Sequence, residues 1–457
     1  MIYTELLSHQ IDKIIPFIAN KDTFGIFAAY GTGKTLCALK YIDMCNLKKV
    51  LIVSTKTCIQ NTWPQQIKEH TDMGYVLLEG SRNKRILAMV LGIRKCVNLN
   101  ETVLFLLNFG GVDSLYNELI NLEFDMIIVD ESTKIKNPYA IRTKALIQLS
   151  ESISRRCIMT GFPISEGLQN IYSQIKFLDH GELFGVSYDA FLSTYFVTSG
   201  YKRVPKYNAK NKIVEKIRDL VIYVPDSVIK KPDIMNKTIY VDKTKQQALL
   251  LQQLTDFYKL EIGDMELTIN HIFSFMMKSL QICNGFIQIG DTVEYIDTMK
   301  DEALIDTIEE IDYEHNKIII WCYFKDSIKR IKQLLQNNLK LVEGINFTSI
   351  TGEVKNITIP YELFNYGKCN ILLCTLSKAS ESLNLTNARY AIYFTNIWSA
   401  DVRRNSKARI LRLGSSLVHK SIGYIDLTTK DSIENKILLS LNDKIDLVES
   451  IKKLLVY

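Results

Sequence analysis

The 457-residue sequence predicts an α/β protein with two tandem domains on parallel sheets, joined by a helical connector. Three observations predict this. In the first half, near-continuous apolar runs of strand length alternate with amphipathic helical stretches. The alternation fades between about 201 and 298, and then it resumes. Strands that are apolar along their whole length and separated by helices are those of a parallel sheet covered on both faces.

Residues 25–29 are the first predicted strand, followed by a glycine loop and a helix that starts at Lys34. Residues 49–54, 102–107, 124–129 and 156–160 continue the set. Around 227–236, with Pro225 and Pro232, the pattern predicts a linker, and 245–260 and 271–283 predict helices. A second set of strands follows at 317–321, 347–350, 370–374, 390–394 and 421–425. The expected division is an ATP-binding domain over 1–225, a linker and helical connector over 226–298, and a second domain with a terminal helix over 299–457. In such sheets ligands bind at the carboxyl ends of strands, so a crevice between two such domains is the natural place for a shared ligand.

Composition narrows the class. Hydrophobic residues at 47% and charged residues at 23% are ordinary for a soluble globular chain. The longest apolar runs are strand-length, far below the roughly 20 residues of a membrane helix, so no membrane partner is expected. The first residues lack a basic stretch followed by an apolar one, so the expected location is the cytosol, a host cytosol or the nucleus. Nine cysteines are scattered without a Cys-x-x-Cys pair, which predicts reduced, mostly buried thiols and no zinc.

The net charge of +6 is mild, but its distribution is uneven. Between Tyr201 and Arg218 lie Lys202, Arg203, Lys206, Lys210, Lys212, Lys216 and Arg218, against Glu215 alone. Arg403, Arg404, Lys407, Arg409 and Arg412 form a second cluster. Basic segments interleaved with tyrosines suit a phosphate backbone; a solvated lysine-rich loop is the plainer account of the first cluster.

The sharpest motif is Gly31-Thr32-Gly33-Lys34-Thr35 between a strand and a helix. Glycines let backbone N–H groups wrap phosphates, and the helix N-terminus adds its dipole. Lys34 is expected at the β- and γ-phosphates of ATP and Thr35 at Mg²⁺. Ala28 stands where the full phosphate-loop pattern opens with glycine. Val129-Asp130-Glu131 ends a later apolar strand. A carboxylate there completes Mg²⁺ coordination, and the next one can act on the attacking water. Asp130 is assigned to the metal and Glu131 to the base.

Asp130 to Asn137, reading Asp-Glu-Ser-Thr-Lys-Ile-Lys-Asn, resembles motif II of the Swi/Snf-type branch of the superfamily-two helicases. The resemblance extends along nearly the whole chain and implies two RecA-like domains, use of ATP with Mg²⁺, and movement on nucleic acid. His9-Gln10 resembles the glutamine motif, implying that Gln10 reads adenine, although Leu7 replaces the usual arginine. Residues 51–63 resemble motif Ia, implying that Thr55 and Lys56 face a nucleic-acid strand. Residues 159–164 resemble motif III, with Phe162 in place of threonine. Residues 380–385 resemble motif V, implying nucleic-acid contacts from Ser380 and Asn384, with serines where glycine is usual. Residues 398–415 resemble motif VI, which makes Arg409 and Arg412 the arginine fingers. The basic residues Lys202, Arg203 and Lys206 are added as backbone contacts.

These observations predict an ATP-dependent translocase or helicase on duplex or branched DNA, with fork remodelling or branch migration as its work. RNA or a transcription complex is a second target class, and a non-catalytic ATP-gated scaffold is a third reading. The intact set Lys34, Asp130, Glu131, Arg409 and Arg412 argues against the third.

Overall fold

The computed structural model describes residues 2–443 apart from Tyr30, Phe162, Ser165, Glu166, 200–201, 229–230, 265–268, Gly290, 355–356, 377–382 and Leu413. The chain divides into two compact units, the second spanning Lys230–Asp443.

In the first unit the strands are β1 (Thr23–Ala28), β2 (Lys49–Ser54), β3 (Gly74–Leu77), β4 (Val103–Asn108), β5 (Met126–Asp130) and β6 (Arg155–Thr160). They are followed by a hairpin of β7 (Phe196–Ser199) and β8 (Lys202–Pro205), then β9 (Val221–Val224). The main sheet runs β3-β4-β2-β5-β6-β1-β9 and all its pairings are parallel. Its central strands are buried on both faces, as their unbroken apolar sequence requires. Phe27, Leu51, Phe105 and Ile127 face one core, and Ile26, Ile52, Leu104 and Ile128 face the other. Each such side chain contributes about 1.5–3 kcal/mol by leaving water. The parallel register brings Val53, Val129 and Ile158 side by side, so the carboxyl ends of β2, β5 and β6 lie together.

The second unit holds β10 (Asp233–Val241), a small hairpin of β11 (Phe286–Ile289) and β12 (Thr292–Tyr295), then β13 (Ile318–Cys322), β14 (Phe347–Ile350), β15 (Ile371–Thr375), β16 (Tyr390–Tyr393) and β17 (Ser421–Thr429). Its sheet is β10-β17-β16-β13-β15-β14, again all parallel. Two tandem parallel sheets are therefore present, as the strand pattern predicts, in the RecA-like form that the resemblance implies.

The structure departs from the sequence reading at sheet edges. The stretch read as a linker contributes β10, a nine-residue edge strand paired with β17 from Asp233 to Val241. Most of β10 is exposed, so its polar residues Asp233, Asn236 and Lys237 mimic a loop in sequence. The short edge strands β3 and β9 and the hairpin β7–β8 were also not expected. Helices Lys245–Asp264 and Ile269–Cys283 occupy the region read as helical. Seven of the nine cysteines are buried, and all nine are free thiols; burial pushes the Cys37 and Cys283 thiols up to about 12.

One polar cluster pins the second unit. Lys300 and Glu434, both buried, pair at 2.8 Å. Asn284 donates to Glu434 at 3.0 Å, Thr395 donates to the Asn284 side-chain oxygen at 2.5 Å, and Glu434 accepts the Thr429 N–H at 3.0 Å. Removing one partner strands a buried charge. Lys300→Met is expected to lower the unfolding free energy of this unit by about 3–5 kcal/mol, and Lys300→Met with Glu434→Leu to recover most of it. Urea denaturation of the three proteins checks both statements.

Candidate active site

The loop after β1 builds the nucleotide end of the first unit. Gly31 and Gly33 hold φ values of 80° and 78°, a region open to glycine. Gly33 caps the helix Lys34–Met44, so its left-handed turn aims that helix's N-terminus at the loop. Thr32 is fully buried, and its hydroxyl donates to the Ala29 carbonyl at 2.7 Å, closing the loop on itself. The Lys34 ammonium donates to the carbonyls of Ala28 and Ala29 at 2.8 and 3.2 Å. Thr35 follows in the first helical turn. These carbonyl contacts leave Lys34 beside the loop amides, where a phosphate chain fits its charge.

Gln10 packs against this loop. It is buried, its amide nitrogen donates to the Thr32 and Gly33 carbonyls at 3.0 and 3.3 Å, and its oxygen accepts the Leu7 N–H at 2.8 Å. Both ends of the carboxamide bond to backbone, so in this structure it braces the phosphate loop. His9 adds a contact to the Thr32 carbonyl at 2.9 Å. A Cβ at Gly33 would lie 2.1 Å from the Gln10 nitrogen, so brace and loop are fitted to each other.

Asp130 ends β5 and is held by three donors. The Trp63 indole N–H lies 3.0 Å and the Ser54 hydroxyl 3.2 Å from Oδ2, and the Glu131 N–H lies 3.0 Å from Oδ1. Burial pushes the Asp130 carboxyl above the usual range, opposed by the Lys34 cation and by the indole and hydroxyl donors. The cation of the loop therefore lies near enough to the carboxylate of β5 to offset part of that rise. Glu131 adopts φ 55° and ψ 50°, a left-handed conformation for a residue with a Cβ. Such conformations persist where surrounding contacts over-determine them and concentrate at functional sites.

One source of that over-determination is Ser132. Its hydroxyl donates to Gln174 Oε1 at 2.7 Å, and Gln174 Nε2 donates to the carbonyls of Pro163 and Asn170 at 2.6 and 2.9 Å. Ser132 and Gln174 are fully buried. A polar bridge therefore joins the residue after the candidate base to the segment after β6. Gln174→Leu leaves a hydroxyl and two carbonyls without this donor–acceptor, costing about 1–3 kcal/mol. The expected result is a lower kcat with little change in KM for ATP, measured by steady-state hydrolysis; a raised KM with kcat unchanged would assign Gln174 to binding instead.

The remaining residues are distributed as follows. Lys56 is exposed, but Thr55 is nearly buried and its hydroxyl accepts the Cys58 N–H at 3.4 Å, so it closes a turn rather than facing outward. Lys202 begins β8, Arg203 is exposed on it, and Lys206 spends its ammonium on the Ser193 carbonyl at 2.6 Å. Ser380 lies outside the described residues, and Asn384 is exposed. In the second basic cluster, Arg403 is no open patch: it pairs with Asp426 at 2.7 Å and stacks on Tyr393, buried. Arg409, on the helix Ala400–Ile410, is buried and donates to the Leu383 and Asn405 carbonyls. Arg412 is partly exposed and donates to the Ala408 carbonyl at 3.0 Å. Trp63, Ser54, Ser132 and Gln174 were not singled out from sequence. Ser54 ends a strand, which places it beside the end of β5, and Trp63 and Ser132 fall within the stretches resembling motifs Ia and II.

A phosphate loop, a strand-end Asp-Glu pair and two tandem RecA-like sheets define a phosphate-loop NTPase with two motor-type units. The SNF2-related domain matches residues 19–285 and the helicase conserved C-terminal domain matches 299–414. The chain belongs to the SNF2-related family of helicase-type ATPases. Similar proteins include an uncharacterized ATP-dependent helicase of Mycoplasma genitalium, 26% identical over 76% of this chain and 32% of that one. Protein p41 of Acyrthosiphon pisum secondary endosymbiont phage 1 is 22% identical over 92% of each chain. The DNA repair and recombination protein RDH54 of Saccharomyces cerevisiae is 22% identical over 89% of this chain and 46% of its own. The chain thus spans about a third of the Mycoplasma helicase and under half of RDH54, but nearly all of p41. Among solved structures, the Sulfolobus solfataricus SWI2/SNF2 ATPase core in complex with dsDNA covers 98% of this chain and 93% of that one, at 21% identity and TM-score 0.45.

Proposed function

We propose that this chain couples ATP hydrolysis to translocation on duplex or branched DNA, as a fork-remodelling or branch-migrating motor. The observation that carries the catalytic part is the joint placement of Lys34, Asp130 and the strained Glu131 at the carboxyl end of the first sheet. Lys34 and the loop amides hold the phosphates. Thr35 and Asp130 would hold Mg²⁺, which supplies charge to the transferring phosphoryl group when bound. Glu131 takes a proton from water as its oxygen bonds to the γ-phosphorus and the bond to the ADP oxygen breaks. Arg409 and Arg412 are the arginine fingers, so hydrolysis needs the second unit as well as the first.

DNA as the track is supported by the similarity to a DNA repair and recombination protein and by the exposed cations Lys56 and Arg203. Lysine and arginine without base-reading geometry grip backbones irrespective of sequence. Hydrolysis rates with duplex, single-stranded and branched DNA, and with RNA, test the track; greatest stimulation by RNA would overturn the DNA assignment.

Migrating a branch exchanges base pairs at nearly constant energy, whereas opening a plain duplex costs about 1.4 kcal/mol per stacked step. Displacement of a triplex strand and movement of a four-way junction should therefore exceed separation of a tailed duplex at equal ATP. Strand separation is the second reading, favoured by the hairpin β7–β8, whose second strand carries Lys202 and Arg203. Efficient separation of the tailed duplex, without triplex or junction activity, would establish that reading instead.

A further inference from the structure

The edge of the first sheet carries a surface that neither nucleotide nor nucleic acid explains. The helix Arg82–Leu99 packs on the sheet through Met89, Gly92 and Cys96, its only fully buried positions. Gly92 is required there: a Cβ would come within 2.6 Å of the Phe105 ring. The rest of the helix remains strongly apolar. Leu91 and Leu99, which line one groove, are 50% and 62% exposed, and Leu87, one turn before Leu91, is 60% exposed. A groove of about 510 Å³ lies between Tyr75 and Val76 of β3, the terminal strand of its sheet, and Ala88, Leu91 and Leu99 of the helix.

The charge lining this groove has one sign. The helix carries Arg82, Lys84, Arg85, Arg94 and Lys95 and no acid over its 18 residues. Arg82 is matched to Glu118, and Arg85 donates to the Gly80 carbonyl, both at the N-terminal end. Arg94 and Lys95 line the groove, and no carboxylate does; Glu101, just past the helix, lies beside Gly74 at the start of β3.

We propose that this groove docks an acidic, amphipathic segment of a partner protein. Leucine-type side chains of the segment fill the apolar slot, and its carboxylates meet Arg94 and Lys95. A nucleic-acid backbone matches the charge but not the aliphatic surface, since such interfaces are predominantly polar. A second copy of this chain matches the aliphatic surface but not the charge, because a two-fold contact sets Arg94 and Lys95 against themselves.

The test uses the full-length protein and dye-labelled helical peptides about four turns long, one of leucine and glutamate and one of leucine and lysine. Fluorescence anisotropy should show the glutamate peptide bound at least about tenfold tighter than the lysine peptide. Leu91→Ser, and separately Arg94→Glu with Lys95→Glu, should each weaken it by about tenfold or more. All these positions are exposed, and ATP hydrolysis without peptide should stay unchanged, which shows that the variants are folded. Equal affinity for the two peptides, binding unaffected by the variants, binding only to phosphatidylserine vesicles, or self-association by sedimentation would each overturn the proposal.

Discussion

Replacing Glu131 with glutamine is expected to stop turnover while ATP binding persists. The amide keeps the size of the carboxylate but cannot take a proton from water, and loss of a general base costs about 10²–10⁴-fold in rate. The Glu131 backbone is left-handed, and the buried Ser132–Gln174 bridge holds the next residue, so the amide variant should keep the same local conformation. Lys34→Ala should behave differently. Lys34 touches the Ala28 and Ala29 carbonyls and acts on Asp130, so its loss removes charge from the phosphate position itself. Both turnover and ATP affinity should fall. Equilibrium binding of a fluorescent ATP analogue, measured beside single-turnover hydrolysis, separates the two variants. Turnover of Glu131→Gln within threefold of the unmodified protein would remove Glu131 from its assigned role.

Arg409→Ala and Arg412→Ala are each expected to reduce hydrolysis by roughly 10³-fold, the scale of arginine-finger loss. Nucleotide affinity should change far less, because Lys34 and the loop glycines belong to the first unit. The two arginines differ in one respect. Arg409 is buried and donates to the Leu383 carbonyl, so its truncation also strands a backbone acceptor in the second unit. Arg412 is partly exposed and should alter rate with little loss of stability. Thermal unfolding of both variants, beside DNA-stimulated hydrolysis, checks this split. Full stimulated activity in Arg412→Ala would exclude it as a finger.

How much of this was readable before folding depends on whether the signal is local. The central strands announce themselves because burial on both faces demands unbroken apolar runs, as in 49–54 and 318–322. The phosphate loop is legible because only glycine accepts the φ of Gly31 and Gly33 at no cost, and a lysine must follow. Edge strands are different. In β10 only Val241 is buried, so a polar stretch that pairs with β17 reads as a linker, and four-residue β3 and β9 are too short for a pattern.

The sequence by itself determined the family, the two-sheet architecture and the identities of Lys34, Asp130, Glu131, Arg409 and Arg412 as the residues to test. The tertiary structure alone decided what holds them. Trp63 reaches Asp130 across 67 residues, Ser132 reaches Gln174 across 42, and Gln10 turns both ends of its amide to backbone, two of its donor contacts going to the phosphate loop. Local periodicity reports which face of an element is buried. It carries no record of which polar side chain, tens of residues away, satisfies a buried donor or acceptor, because that pairing is set only when the sheet brings strand ends together.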